Sequence, residues 1–70
     1  MDSITRKMEI SAKIKALEES KKDYEKELAS LDERKETWDD ADKKRVQKLI
    51  DEIEQIESEI KHLKKELEAL

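Results

Sequence analysis

Residues 46–70 read VQKLIDEIEQIESEIKHLKKELEAL, and an aliphatic side chain returns there at alternating intervals of three and four positions. This spacing is that of a heptad repeat in which every a and d position is aliphatic. Such a seam is normally buried against another helix, because it forms one continuous apolar stripe. The stripe consists of Val46, Leu49, Ile53, Ile56, Ile60, Leu63, Leu67 and Leu70. It predicts an all-α coiled-coil protein.

The N-terminal half carries a second seam with the same alternation of four and three positions. Its apolar members are Ile10, Ile14, Leu17, Tyr24, Leu28 and Leu31. Lys21 and Lys35 occupy a positions and weaken this seam. Between the two seams, residues 32–45 include only Trp38 and Ala41 as apolar side chains. This gap is the best candidate for a turn.

The gap divides the chain into two predicted helices within a single domain, residues 1–70. We expect helix 1 at about 3–35, the turn at about 36–41 and helix 2 at about 41–70. Thr37 or Asp39 is expected to cap helix 2, because both side chains accept hydrogen bonds from backbone N–H groups of a first turn. Arg34 and Lys35 are expected in the last turn of helix 1, where the helix dipole favours positive charge.

Two architectures fit these seams. If the chain folds back near position 38.5, residues whose numbers add to 77 meet, and every a residue faces a d residue. We therefore predict an antiparallel two-helix hairpin with arms of about 50 Å, and we expect two hairpins to associate into a four-helix bundle. The alternative is one continuous coiled-coil helix of about 105 Å with a stutter near 38–46.

Composition limits the classes of function. Charged residues make up 51% of the chain and hydrophobic residues 34%, the net charge is −4, and there is no Gly, Pro or Cys. A negative net charge disfavours nucleic acid and anionic membranes as partners. Without cysteine, neither a disulfide nor a thiolate metal site is possible. No apolar run approaches the roughly 18 residues of a membrane span, and no apolar leader is evident at the N-terminus. We expect a cytoplasmic protein without a membrane partner.

No pattern of catalytic residues is present. His62 is the single histidine and falls at a c position, where we expect a solvated side chain. The acidic run at residues 39–42 lacks the glycine of an EF-hand loop, so helix capping explains it better than calcium binding. We expect no enzyme activity, no cofactor and no metal site.

The pattern favours a non-enzymatic protein–protein interaction module. We expect a small adaptor, chaperone-like or scaffolding protein that dimerises, or captures an amphipathic helix of a partner, through its heptad stripe. A possible partner face comprises Met1, Ile4, Met8 and Trp38. Trp38 is either a binding anchor or a cover for the last layer of the core. The alternatives are a purely structural oligomerisation rod and a small RNA- or DNA-binding regulator that acts as a hairpin dimer.

Overall fold

The computed structural model describes residues 3–70. Two α-helices, α1 (Ser3–Glu33) and α2 (Asp40–Glu68), are joined by a turn that contains a 3-10 helix at Lys35–Thr37. The two helices pack against each other, and the molecule measures 55 × 14 × 14 Å. One continuous helix of this length would extend about 105 Å. The protein is therefore the all-α antiparallel hairpin that the two seams predict.

The core between the helices consists of two apolar clusters that follow the predicted seams. The cluster nearer the chain ends contains Ile10, Ile14, Ile56 and Ile60, with Leu17, Tyr24, Leu63 and Leu67 packed against it. The cluster nearer the turn contains Leu31, Val46 and Leu49, with Tyr24, Leu28, Trp38 and Ile50 packed against it. Tyr24 contacts both clusters, so its ring links the two halves of the core. Ile53 is half-buried, and Leu70 is 44% exposed at the open end of the hairpin, opposite the turn.

Ion pairs between the helices agree with their antiparallel register. Near the open end Arg6 donates to Glu66 at 2.5 Å, and near the turn Arg45 donates to Glu27 at 2.6 Å. All four residues occupy g positions of their heptads, and g faces g only when two helices run antiparallel. The Arg45–Glu27 pair is exposed and the Arg6–Glu66 pair is only partly buried, so each contributes little stability by itself. Burial of the seam therefore holds the hairpin together.

The turn reverses the chain without glycine, and no residue among 3–70 has a positive φ. α1 ends at Glu33, before the predicted last turn, so Arg34 and Lys35 lie beyond the helix. The carbonyl oxygen of Leu31, in the last turn of α1, accepts the backbone N–H of Arg34 at 3.1 Å and the indole N–H of Trp38 at 2.7 Å. The tryptophan side chain thus satisfies the helix end that a glycine cap usually completes.

Of the two predicted caps, Thr37 and Asp39, it is Asp39 that caps α2. The carboxylate of Asp39 accepts the backbone N–H of Asp42 at 2.8 Å, and the carboxylate of Asp42 accepts the backbone N–H of Asp39 at 3.3 Å. This reciprocal arrangement is a capping box. Arg34 also donates to both oxygens of Asp42, at 3.1 and 3.4 Å. The seam register places Lys35 opposite Asp42, but Arg34 takes that position because α1 ends early.

Candidate interaction surface

The predicted heptad stripe of α2 packs against α1 of the same chain. Its members Val46, Leu49, Ile56 and Ile60 are buried against α1, and Leu63 and Leu67 are partly buried there. Their predicted counterparts on α1 are buried or half-buried as well: Ile10, Ile14, Leu17, Tyr24, Leu28 and Leu31. In the closed hairpin, only the surfaces outside this seam are therefore accessible to a partner.

Lys21 is the one polar a position inside the packed part of the seam. Its side chain is 28% exposed, and its ammonium group lies 3.0 Å from the carboxylate of Glu57. The hydrogen bond to Glu57 raises the pKa of Lys21, and the nearby carboxylates of Glu25 and Glu18 act in the same direction. The lysine stem thus lies along the seam while its charge reaches the acidic edge of the hairpin. A pairing of this kind favours one register over others.

An apolar patch on the outer side of α1 has no counterpart in the hairpin. Ile4 is 73% exposed and Met8 is 68% exposed, one helical turn apart. Ala12 continues the line and is also exposed. The apolar side chains of α1 therefore lie on two sides of the helix, whereas those of α2 gather on one side. Met1, which the sequence adds to this face, lies outside the described residues.

Three lysines extend the line of the apolar patch towards the turn. With 3.6 residues per helical turn, positions 4, 8, 15, 22 and 26 fall within about 40° on the surface of α1. Lys15, Lys22 and Lys26 are exposed, and within residues 3–70 none of them forms an ion pair. Glu19 borders the line and Glu33 ends it. We call the surface formed by Ile4, Met8, Lys15, Lys22 and Lys26 the outer stripe.

The outer stripe is held in place by the ion pair at the open end. Arg6 donates to Glu66 on α2 and makes a longer contact of 3.5 Å with Glu9 on its own helix. The hydrogen bond from Arg6 lowers the pKa of Glu66, and the hydrogen bond to Glu66 raises the pKa of Arg6. The first turns of α1, which carry the apolar patch, are thereby tied to the end of α2.

Trp38, the fourth residue of the predicted partner face, lies away from the outer stripe. Its ring is half-buried against the cluster of Leu31, Val46 and Leu49, and its indole N–H is bonded to Leu31. Of the two roles that the sequence leaves open, the structure places the side chain in the covering role. Trp38 and Ile4 therefore belong to opposite ends of the hairpin and do not form one surface.

The described residues offer little for chemistry. Among residues 3–70, no group of three or more His, Asp or Glu side chains is placed to hold a metal ion. Within the same range, neither helix has a stretch apolar enough to cross a membrane. His62 is exposed beside a shallow open groove between the helices, lined also by Ala16, Leu17 and Ser58. This groove presents aliphatic and mixed charged groups rather than a set of converging polar atoms.

No protein-family model matches this chain, and neither a curated protein nor a solved structure matches it. Sequence reasoning identified Ile4 and Met8 but missed the lysines of the outer stripe, because they are separated by seven and four positions rather than clustered. The helical period of 3.6 residues is the signal that finds them.

Proposed function

We propose that this hairpin is a non-enzymatic protein-interaction module that binds an amphipathic, acidic helix of another protein along the outer stripe. The exposure of Ile4 and Met8, 73% and 68%, is the observation that carries the proposal. Two large apolar side chains on adjacent turns are the kind of anchor that a partner helix buries. The predicted cytoplasmic location remains part of this proposal.

Burial of the apolar patch supplies the attraction. A fully buried Ile or Met side chain contributes roughly 1.5–3 kcal/mol relative to an exposed one. Two such anchors are offset in part by the cost of association, so we expect weak, reversible binding unless charge adds to it. The small side chain of Ala12 beside Met8 lets a partner backbone approach α1 closely.

Charge sets the chemistry of the partner. Lys15, Lys22 and Lys26 follow the apolar anchors on the same side of α1 and are exposed. A helix that places two apolar residues one turn apart, followed by Glu or Asp at matching seven-residue intervals, complements this surface. Such exposed pairs steer association and weaken with added salt. The expected partner is therefore an acidic amphipathic helix.

A synthetic peptide with this design tests the proposal. Its affinity for the hairpin is measured by titration calorimetry, and amide chemical shifts show where it binds. Met8→Glu is expected to weaken binding at least about tenfold, which corresponds to 1.4 kcal/mol. Gln55→Glu, which adds the same charge on the exposed polar side of α2, is the matched control and should retain binding.

Three results would contradict this proposal. The first is equal binding of the peptide to both variants. The second is dimerisation of the free hairpin that Met8→Glu abolishes, because a second copy would then occupy the outer stripe. The third is preferential binding of duplex RNA with a steep salt dependence, which would favour the nucleic-acid alternative.

A further inference from the structure

The turn between α1 and α2 is close to a helix in its backbone geometry. Lys35–Thr37 already forms a 3-10 helix, and the chain reverses at Trp38, with ψ of 130°, and Asp39, with ψ of −174°. Because the turn contains neither glycine nor proline and no positive φ, every one of its side chains is compatible with an α-helix. Rotation of these two ψ angles, with adjustment at Arg34, makes α1 and α2 one continuous helix.

The seam that closes the hairpin is also complementary to a second copy of the chain. In the hairpin, residues whose numbers add to 77 lie opposite one another in the shared clusters, as Ile14 and Leu63 do. Two continuous helices arranged antiparallel about a dyad at position 38.5 bring together the same residue numbers. The only difference is that each contact now joins two chains.

The ion pairs between α1 and α2 are also compatible with an antiparallel dimer of two continuous helices. The pairs Arg6–Glu66 and Glu27–Arg45 join g positions of antiparallel helices, and an antiparallel dimer in this register restores both between chains. The Lys21–Glu57 pair is restored in the same way. In a parallel, in-register pairing of two chains the partners of each pair lie 18 or more positions apart along the axis, so none of these contacts forms.

We propose that two copies of this chain also form a domain-swapped antiparallel dimer. In this dimer residues 34–39 are helical, and the seam of each chain packs against the other chain. Each half of the dimer reproduces the interface of one hairpin. Domain swapping of this kind is a low-cost route to a dimer, because it needs no interface beyond the one already encoded. This inference stands on the turn and the seam and does not depend on the outer stripe.

Two contacts of the turn exist only in the closed hairpin. In a continuous helix, the Leu31 carbonyl accepts the N–H of Lys35, and the Asp42 N–H donates to Trp38. The bond from the Trp38 indole to Leu31 and the capping box of Asp39 and Asp42 must therefore break. These contacts, together with the high local concentration of two arms joined by a short turn, favour the hairpin in dilute solution.

Two variants shift the equilibrium in opposite directions. The double variant Trp38→Ala with Asp39→Ala removes both closing contacts and places two strong helix formers in the turn. Asp40→Pro is the matched control. Asp40 is the first residue of α2, where proline fits, and the extended backbone of Asp39 suits a residue before proline. Proline at position 40 blocks a continuous helix, because its ring clashes with the preceding turn.

Spin labels distinguish the two states. Nitroxides are attached at Ser11 and Lys65 of the same chain. The labelled chain is mixed with an excess of unlabelled chain at about millimolar concentration, then heated and cooled. At this concentration a second chain competes with the effective concentration of the two linked arms of one hairpin. In a hairpin the two labels lie across the helix pair. In the swapped dimer they lie on one helix, 54 positions and therefore about 80 Å apart. Mass is measured on the same samples by light scattering.

We expect the wild-type chain to form a dimer with the long distance under these conditions, and the double variant to form it at a tenfold or more lower concentration. Asp40→Pro should remain a monomer with the short distance. A wild-type chain that stays monomeric overturns the proposal, as does a double variant that is helical but monomeric. Equal dimerisation of Asp40→Pro also overturns it, because the dimer must then use another surface. Asp40→Pro keeps the outer stripe, so its peptide binding reports on the proposed function separately.

Discussion

Trp38 is one of the residues that stabilise the glycine-free turn. A helix that ends without a residue of positive φ leaves carbonyl oxygens without partners. Here the indole N–H donates to Leu31 at 2.7 Å, while the ring covers the cluster of Leu31, Val46 and Leu49. One side chain thus completes the end of α1 and the last layer of the core.

Trp38→Phe separates these two roles, because it keeps an aromatic ring and removes the donor. We expect the free energy of unfolding to fall by about 1 kcal/mol, the usual net value of one hydrogen bond. For a domain of this size, such a loss lowers the thermal midpoint by roughly 4–8 °C. The midpoint is measured by circular dichroism at a concentration where the protein is monomeric. An unchanged midpoint would mean that covering the cluster is the only role of the ring.

Asp42 makes the stability of the turn depend on pH. The hydrogen bond from Arg34, followed by that from the backbone N–H of Asp39, lowers the pKa of the Asp42 carboxyl. Because the pKa is lower in the folded state, this group stabilises the fold above its unfolded pKa. The contribution is lost as the pH falls through the folded value.

Asp42→Asn removes this titration and keeps a side chain that can cap. We expect wild type to be more stable than Asp42→Asn near neutral pH and the difference to shrink below about pH 4, where ordinary aspartates titrate. Thermal midpoints of both proteins across this pH range measure the difference. A gap that stays constant to strongly acidic pH would show that the carboxylate contributes nothing through its charge.

At the scale of the element, α1 and α2 differ in how they use their apolar residues. α2 has one apolar side, and that side is packed against α1. α1 divides its apolar residues between the seam and the outer stripe, where Ile4 and Met8 stay exposed. The same helix therefore contributes to stability on one side and offers a surface for binding on the other.

Ile10 and Met8 test this division, because they are two positions apart on α1 with opposite exposure. Ile10 is 0% exposed and Met8 is 68% exposed. Ile10→Ala is expected to cost about 2–5 kcal/mol by loss of burial and creation of a cavity. Met8→Ala should change stability by no more than about 0.5 kcal/mol. Urea unfolding of dilute samples measures both, and similar losses would mean that Met8 is buried in solution.

The seams and the turn show how much of this fold can be predicted from the sequence. Regular spacing of apolar residues predicts two helical seams, and the polar gap between them favours the hairpin because a fold at that point places a residues against d residues. The end of α1 is harder to predict, since the bond from Trp38 to Leu31 depends on a side chain seven positions away. Exposure of Ile4 and Met8 follows from the sequence only once α2 is known to cover a single side of α1.

At the scale of the whole molecule, the hairpin is a narrow body 55 Å long with two apolar clusters in line. The seam sets the relative positions of the helices, because the ion pairs beside it are exposed or only partly buried. Each cluster draws on both helices, so neither α1 nor α2 has a core of its own. We therefore regard the hairpin as one cooperative unit, in which the end near the turn is reinforced by the capping contacts.

Ser3 and Leu70 lie at the same end of this body, next to the Arg6–Glu66 pair. A pulling force on the two ends therefore acts across the helix pair rather than along it. We therefore expect the Arg6–Glu66 pair to bear the first load and separation of the helices to begin at this end. Under such a force we expect the two helices to be peeled apart rather than sheared along each other, with the turn as the last point of contact.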